Sequence, residues 1–382
     1  MSFATIQDRF ETIVAESLKR GASDIHIVAG EPIRLRVEGI LEILKTDDAE
    51  VVLEHSDLVE WTHAFLNTNQ QEQFSERGSV DGAFTAAEHV RLRFNLFRRS
   101  GAYAIALRRL DDQFRDLASL GLTNDLYRIC DLKHGLILIA GPTGSGKSTT
   151  LATLLNRINE TRSAHIITIE EPIEYVHRSQ HSLVSQRQVG IDAPTFHQAL
   201  VDSLRQDPDV ILIGEIRDLE TIRTAITAAE TGHLVFASVH AGDCIGAIER
   251  LVSVFPADEQ MMIQKLLSMV VRCVVAQHLV VADSGHSTNQ SVDSEDDRGP
   301  EQHPGRVLVP EILWGTTAVS NLIASGQTRQ IGSMMESGAG DGMVTLDASL
   351  ANLLRQRKIS EATARSLAKN PTMVLERSRR RP

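Results

Sequence analysis

Cysteine is scarce in this chain: Cys130, Cys244 and Cys273 are the only three in 382 residues, far apart and never in Cys-x-x-Cys spacing. Such a set supports neither a disulfide framework nor a four-cysteine metal module, and it suits a reducing cytoplasm. Aromatic residues make up only 4%, so the core must be aliphatic. Little is left for the aromatic-basic groove that holds single-stranded nucleic acid. Positive charge is also short, with 39 Lys plus Arg against 50 Asp plus Glu and a net charge of −11. That argues against a nucleic-acid-binding surface. No apolar run reaches membrane-span length, which predicts no transmembrane segment. Met1–Arg20 mixes Asp8, Arg9, Glu11, Glu16 and Lys19 with spaced apolar residues and reads as an amphipathic helix rather than a signal peptide. The one concentrated basic stretch, Arg377 with Arg379, Arg380 and Arg381, reads as a frayed, solvated tail.

What the chain does contain is organised around residues 141–148, Gly141-Pro142-Thr143-Gly144-Ser145-Gly146-Lys147-Ser148, a Gly-x4-Gly-Lys-Ser P-loop followed by Thr149. The apolar run Leu136–Ala140 before it has the length and branching of a buried parallel strand. Thr150, Leu151, Leu154, Leu155 and Ile158 after it recur at helical spacing. A glycine-rich loop between strand and helix lets backbone N–H groups close on an anion at the positive end of the helix dipole. Lys147 would reach the β- and γ-phosphates and the Ser148 hydroxyl would ligate Mg2+.

Around this loop the chain reads as two parts and a tail. Residues 1–112 form an α+β domain: a helix over Thr5–Lys19, a hairpin of Ser23–Val28 and Ile33–Val37, a helix over Val51–Phe65, and strands over Ser79–Phe84, Val90–Phe97 and Ala102–Leu107. Asp24 and His26 are expected on an edge strand. Residues 113–123 read as a linker, and 124–316 as an α/β core whose strands include Leu136–Ala140, His165–Ile169, Val210–Ile213 and Leu234–Val239. Within it, 282–305 is polar and unpatterned, a disordered insertion between strands Val274–Val281 and Val307–Leu313. Residues 317–382 read as a helical subdomain and tail.

Four further constellations bear on chemistry. The strand Asp209–Ile213 ends in Gly214-Glu215, the shape of a Walker B element, whose glutamate would hold Mg2+ through water or polarise an attacking water. Glu170, Glu171 and Glu174 lie at and past the end of a second strand; they could include a general base or form a solvated acidic turn. His233 and His240 stand at opposite ends of one strand, too far apart to share a metal. Arg91, Arg93, Arg98, Arg99, Arg108 and Arg109 form either a solvated strand face or a set aimed at an anion.

The P-loop segment, Thr168-Ile169-Glu170-Glu171-Pro172-Ile173-Glu174, residues 204–218 and residues 224–240, in series, are similar to the secretion-superfamily ATPases. Within that group the chain resembles the type IV pilus retraction (twitching motility) ATPases, from about Ile6 to Ser366 and including Ser23-Asp24-Ile25-His26. The resemblance implies a RecA-like P-loop core beside a small PAS-like N-terminal domain and a C-terminal helical subdomain. It implies a homo-hexamer that hydrolyses ATP with Mg2+, in the cytoplasm at the inner-membrane base of the pilus machine. There it would act on a platform protein and, in an accessory role, beside a paralogous retraction ATPase. It makes Lys147 and Ser148 the Walker A pair, Glu174 the catalytic glutamate, Glu215 the Walker B glutamate and His233 and His240 the His box. It makes Arg91, Arg93 and Arg108 nucleotide contacts. The family's acidic box commonly reads Glu-Asp-Pro and here is Glu170-Glu171-Pro172. Its retraction signature Ala-Ile-Arg-Asn-Leu-Ile-Arg-Glu is here Ala318-Val319-Ser320-Asn321-Leu322-Ile323-Ala324-Ser325. The competing expectations are an assembly ATPase of pilus extension or type II secretion, and a regulatory ring subunit of low turnover.

Overall fold

The computed structural model describes residues 5–37, 40–46, 48–86, 90–110, 114–283 and 305–379. They fall into two compact units, Met1–Asp112 and Gln113–Pro382.

In the first unit α1 (Ile6–Lys19) is followed by β1 (Asp24–Val28), β2 (Arg34–Val37), β3 (Ile40–Ile43), β4 (Lys45–Thr46), β5 (Ala49–Glu50), α2 (His55–Phe65), α3 (Thr68–Arg77), β6 (Ser79–Thr85), β7 (Arg91–Arg99) and β8 (Ala102–Arg109). The main sheet runs β3-β2-β1-β8-β7-β6, all antiparallel. Strand alternation sends Ile25, Leu35, Leu92, Phe94, Leu96 and Leu107 to one face, where they pack with Phe10, Leu58 and Trp61 of the helices. Three expectations change here. The helix expected from Val51 starts at His55, because the backbone of Val51 and Leu53 bonds to Ile33, Leu44 and Gly30 instead. Asp24 and His26 lie on an interior strand, since β1 pairs with both β2 and β8. Helix α3 and strand β3 were not expected.

The second unit carries β9 (Gly135–Ala140), α4 (Lys147–Thr161), β10 (His165–Glu170), β11 (Leu183–Gln188), α5 (Phe196–Ser203), β12 (Val210–Ile213), α6 (Leu219–Glu230), β13 (Leu234–Val239), α7 (Cys244–Ser253), α8 (Ala257–Val270), β14 (Val271–Val281) and β15 (Arg306–Trp314). It ends in α9 (Thr317–Ala324), α10 (Ile331–Ser337), α11 (Leu346–Arg355), α12 (Glu361–Leu367) and α13 (Pro371–Arg379). Its sheet runs β11-β10-β12-β13-β9-β14-β15, parallel except for the β14–β15 pair. Every residue of β9, β12 and β13 is buried, because helices cover both faces. Leu138, Ile213 and Ala237 join one core with Ile222, Ile248 and Leu267, and Ile137, Ile139 and Phe236 join the other with Leu151, Leu154 and Ile158. Leu117 and Leu122, in the expected linker, are buried in that second core. Of the expected insertion at 282–305, only Ala282, Asp283 and Gly305 are described, and the rest lies outside the described residues. The C-terminal arginines are not all tail. Residues through Arg379 belong to α13, whose Val374 is buried and whose Arg377 pairs with Glu336 at 3.1 Å.

Candidate nucleotide site

Parallel register brings four loops to one edge of the sheet. Ala140 of β9 lies beside Val239 of β13, and Ile213 of β12 lies between Ile169 of β10 and Ala237 of β13. The residues that follow these strands therefore meet at their carboxyl ends, where open α/β sheets bind ligands. The P-loop begins at Gly141, whose φ of 151° is outside the range of most side chains and where a Cβ would lie 2.3 Å from Ser145 Oγ and 2.5 Å from the Gln277 carbonyl. Gly146, at φ 90°, is the N-cap of α4 and has no side chain to satisfy the first amides of the helix. Those N–H groups are left to an anion.

One pocket is lined by Thr143, Gly144, Lys147, Ser148, Glu170, Glu171, Pro172, Glu174, Gly214, Glu215, Arg217 and His240, among others. The Lys147 ammonium donates to the carbonyls of Gly141 at 2.9 Å and Pro142 at 3.0 Å. Burial pulls its pKa below the ordinary lysine range, against the opposing charges of Glu215 and Glu174. Glu215 accepts from Arg217 at 2.5 Å and lies 3.3 Å from His240 Nε2. Burial pushes its carboxyl up, but Arg217, His240 and Lys147 outweigh that and hold it below the usual carboxylate range. Glu170 goes the other way. Burial raises it to about 7, although Thr168 and Gln186 donate to it. Tyr175 ties the acidic segment to the start of α4 through a 2.9 Å contact with Thr149 Oγ1, and the Ser238 hydroxyl donates to the Gly214 carbonyl. A hydroxyl at Ser148 and an ionised carboxylate at Glu215, in one pocket with Lys147, are hard oxygen donors of the type Mg2+ takes beside phosphate. The residues present fit that ion.

The structure thus brings together Lys147, Ser148, Glu174, Glu215 and His240. His233 does not join them. It sits at the far end of β13, with Nδ1 2.9 Å from the Ala228 carbonyl. Five of the six arginines divide among separate surroundings. Arg93 pairs across the strands with Arg108, which in turn lies opposite Asp24, so both stand on the polar face of the first unit's sheet, and Arg91 joins them by alternation. Arg108 binds Asp24 at 2.7 Å and Arg93 lies 3.8 Å from Asp81. Arg98 instead lies over the Phe74 ring, and Arg99 pairs with Glu31. Reading the sequence missed Arg217 as a site residue. Its signal was its place two positions after Glu215, since a side chain so close to a strand-end carboxylate can turn back onto it.

A profile of the family described as type II/IV secretion system protein matches residues 1–357. The chain belongs to this family. Among type II/IV secretion system proteins, it is 39% identical over 359 residues to the type IV pilus retraction ATPase PilT of Pseudomonas aeruginosa, covering 94% of this chain and 98% of that one. It is 34% identical over 352 residues to the type IV pilus ATPase PilU of the same organism, covering 92% and 86%. A crystal structure of the pilus retraction motor PilT with bound ADP matches it at a TM-score of 0.83 and 37% identity, covering 96% of this chain and 98% of that one. The secretion family's α/β architecture is therefore present along nearly the whole chain. Among the described residues, no helix is long and apolar enough to cross a membrane.

Proposed function

We propose that this chain is a Mg2+-dependent ATPase of the P-loop class that assembles as a homo-hexamer and drives type IV pilus retraction, and with it twitching motility. The observation that carries the reading is one pocket shared by Lys147, Ser148, Glu174, Glu215 and His240, in a chain that matches a pilus retraction ATPase over 94% of its length. The α4 amides and the Lys147 ammonium bind the β- and γ-phosphates. Ser148 and Glu215 would hold Mg2+, which when bound neutralises charge on the phosphate oxygens. Glu174, exposed at the pocket, takes the proton of the attacking water. His240, 3.3 Å from Glu215, would sense whether the γ-phosphate is there. Arg91, Arg93 and Arg108 are assigned to phosphate, and His233 to a neighbouring subunit. The ring would work in the cytoplasm on a platform protein at the base of the pilus, as the primary retraction motor or beside one. The likeness to the retraction ATPase PilT supports the retraction reading.

The test is steady-state hydrolysis with Mg2+ for the wild type, Glu174→Gln and Lys147→Ala, with mass measured on the same samples. The expected result is a hexamer whose turnover drops by about a hundredfold or more in both variants, the scale of losing a transition-state contact. A wild type that binds ATP but turns over no faster than Glu174→Gln would replace the motor with a regulatory ring subunit.

A further inference from the structure

A partly buried ion cluster ties the turn after His240 to the last helices of the chain. Asp243 caps α7: its Oδ1 accepts the Gly246 N–H at 2.6 Å, and its Oδ2 accepts the Lys369 ammonium at 2.6 Å. Glu311 of β15, with only 5% of its side chain exposed, also faces that ammonium at 3.5 Å. The same carboxylate accepts the N–H of Cys244 at 2.8 Å and of Leu346 at 3.4 Å. These are the first residues of α7 and α11, so one buried anion sits at two positive helix ends. Lys369 lies between α12 and α13, and its backbone is fixed as well. Its N–H and that of Asn370 both donate to the buried Asp347 carboxylate, at 2.8 and 2.9 Å. On the other side of the turn, His278 Nε2 donates to the Gly242 carbonyl at 2.7 Å.

An ion cluster with a half-exposed lysine adds little stability, because solvent screens the pair. What it does supply is position: the carboxylates of Asp243, Glu311 and Asp347 each accept from a backbone N–H. We infer that Lys369 is a positioning residue for His240, holding the 240–243 turn through Asp243 and Glu311 and so setting the contact of His240 with Glu215 in the nucleotide pocket. The inference rests on the ATPase reading above and extends it from the pocket to the C-terminal helices. Burial works against the Lys369 ammonium, yet Asp243 and Glu311 outweigh it and hold its pKa above the ordinary lysine range, so the latch is charged at neutral pH.

The test uses the full chain in its hexameric form. Lys369→Met removes the charge and keeps the stem. Asp243→Asn removes the ion pair but still caps α7. Lys369→Arg restores the charge, and Arg377→Met, which breaks the 3.1 Å pair with Glu336 in the same terminal region, is the control. Hydrolysis and amide exchange over residues 240–246 are read on each. Expected are a fall in kcat of about tenfold with KM within about twofold for the first two variants, as for a small misplacement near the chemistry. Faster exchange over 240–246 accompanies it, Lys369→Arg recovers most of the loss, and the control keeps wild-type kcat. Folded Lys369→Met and Asp243→Asn with wild-type kcat and exchange would overturn the inference. So would an equal loss in Arg377→Met, because the effect would then be general loosening. If Lys369→Met does not fold, Asp243→Asn decides alone. A wild type without hydrolysis overturns only the proposed function, because exchange reads the latch directly.

Discussion

The two sheets of this molecule solve burial in opposite ways. In the antiparallel sheet of the first unit, Leu92, Phe94 and Leu96 of β7 are buried, while Arg91, Arg93 and Asn95 between them are only partly so. In the parallel sheet of the second unit, β9 buries all six of its residues. A sheet with one apolar face keeps a whole face for polar side chains, and the first unit's polar face carries Arg91, Arg93 and Arg108. A sheet covered on both faces has no face to spare. Its chemistry is confined to the strand ends, and there the P-loop, Glu215 and His240 are found.

The comparison breaks most sharply at neighbouring positions. Leu138 and Ile139 point to opposite faces of β9 and are both fully buried. Leu138→Ala and Ile139→Ala should each cost about 2–5 kcal/mol in chemical unfolding. A cost at only one of the two would mean that one face of the parallel sheet is loosely packed. Next in size is a pH effect at the strand ends. Glu170 is raised from near 4.5 to about 7 by burial, so the folded chain keeps a proton that the unfolded chain releases. Stability from this group is complete below about pH 4.5, falls as pH rises toward about 7, and is flat above it. The loss is on the order of 1–3 kcal/mol. Thermal melts across that window should show the fall in the wild type and a flatter profile in Glu170→Gln. Equal profiles would remove Glu170 as its source. The smallest effect belongs to the polar face: Arg93→Ala, whose partner Asp81 is 3.8 Å away and well exposed, should change stability by less than about 0.5 kcal/mol. A larger loss would show that this face is part of the packing.

Much of the site was legible because its parts are local. The P-loop lies within one strand-loop-helix unit, Glu215 ends an unmistakably apolar strand, and the length of β13 alone separates His233 from His240. Other elements were harder to read. Helix α3 buries only Phe74, so it offers no apolar stripe; its Asn67–Gln70 capping box and the Gly78 C-cap were the available signals. Helix α13 was hidden by its arginines, although Pro371 stands at its first position.

The sequence by itself determined the central strands of the second unit, the P-loop motif and the family resemblance, because periodicity and short motifs are set by residues close in the chain. Only the tertiary structure decided which charged side chains meet. Arg93 and Arg108 meet on one sheet face while Arg98 lies over Phe74, and Lys369 reaches Asp243 and Glu311 from more than fifty residues away along the chain. Such partners are chosen by the register of strands and the docking of helices, and spacing along the chain carries no record of either.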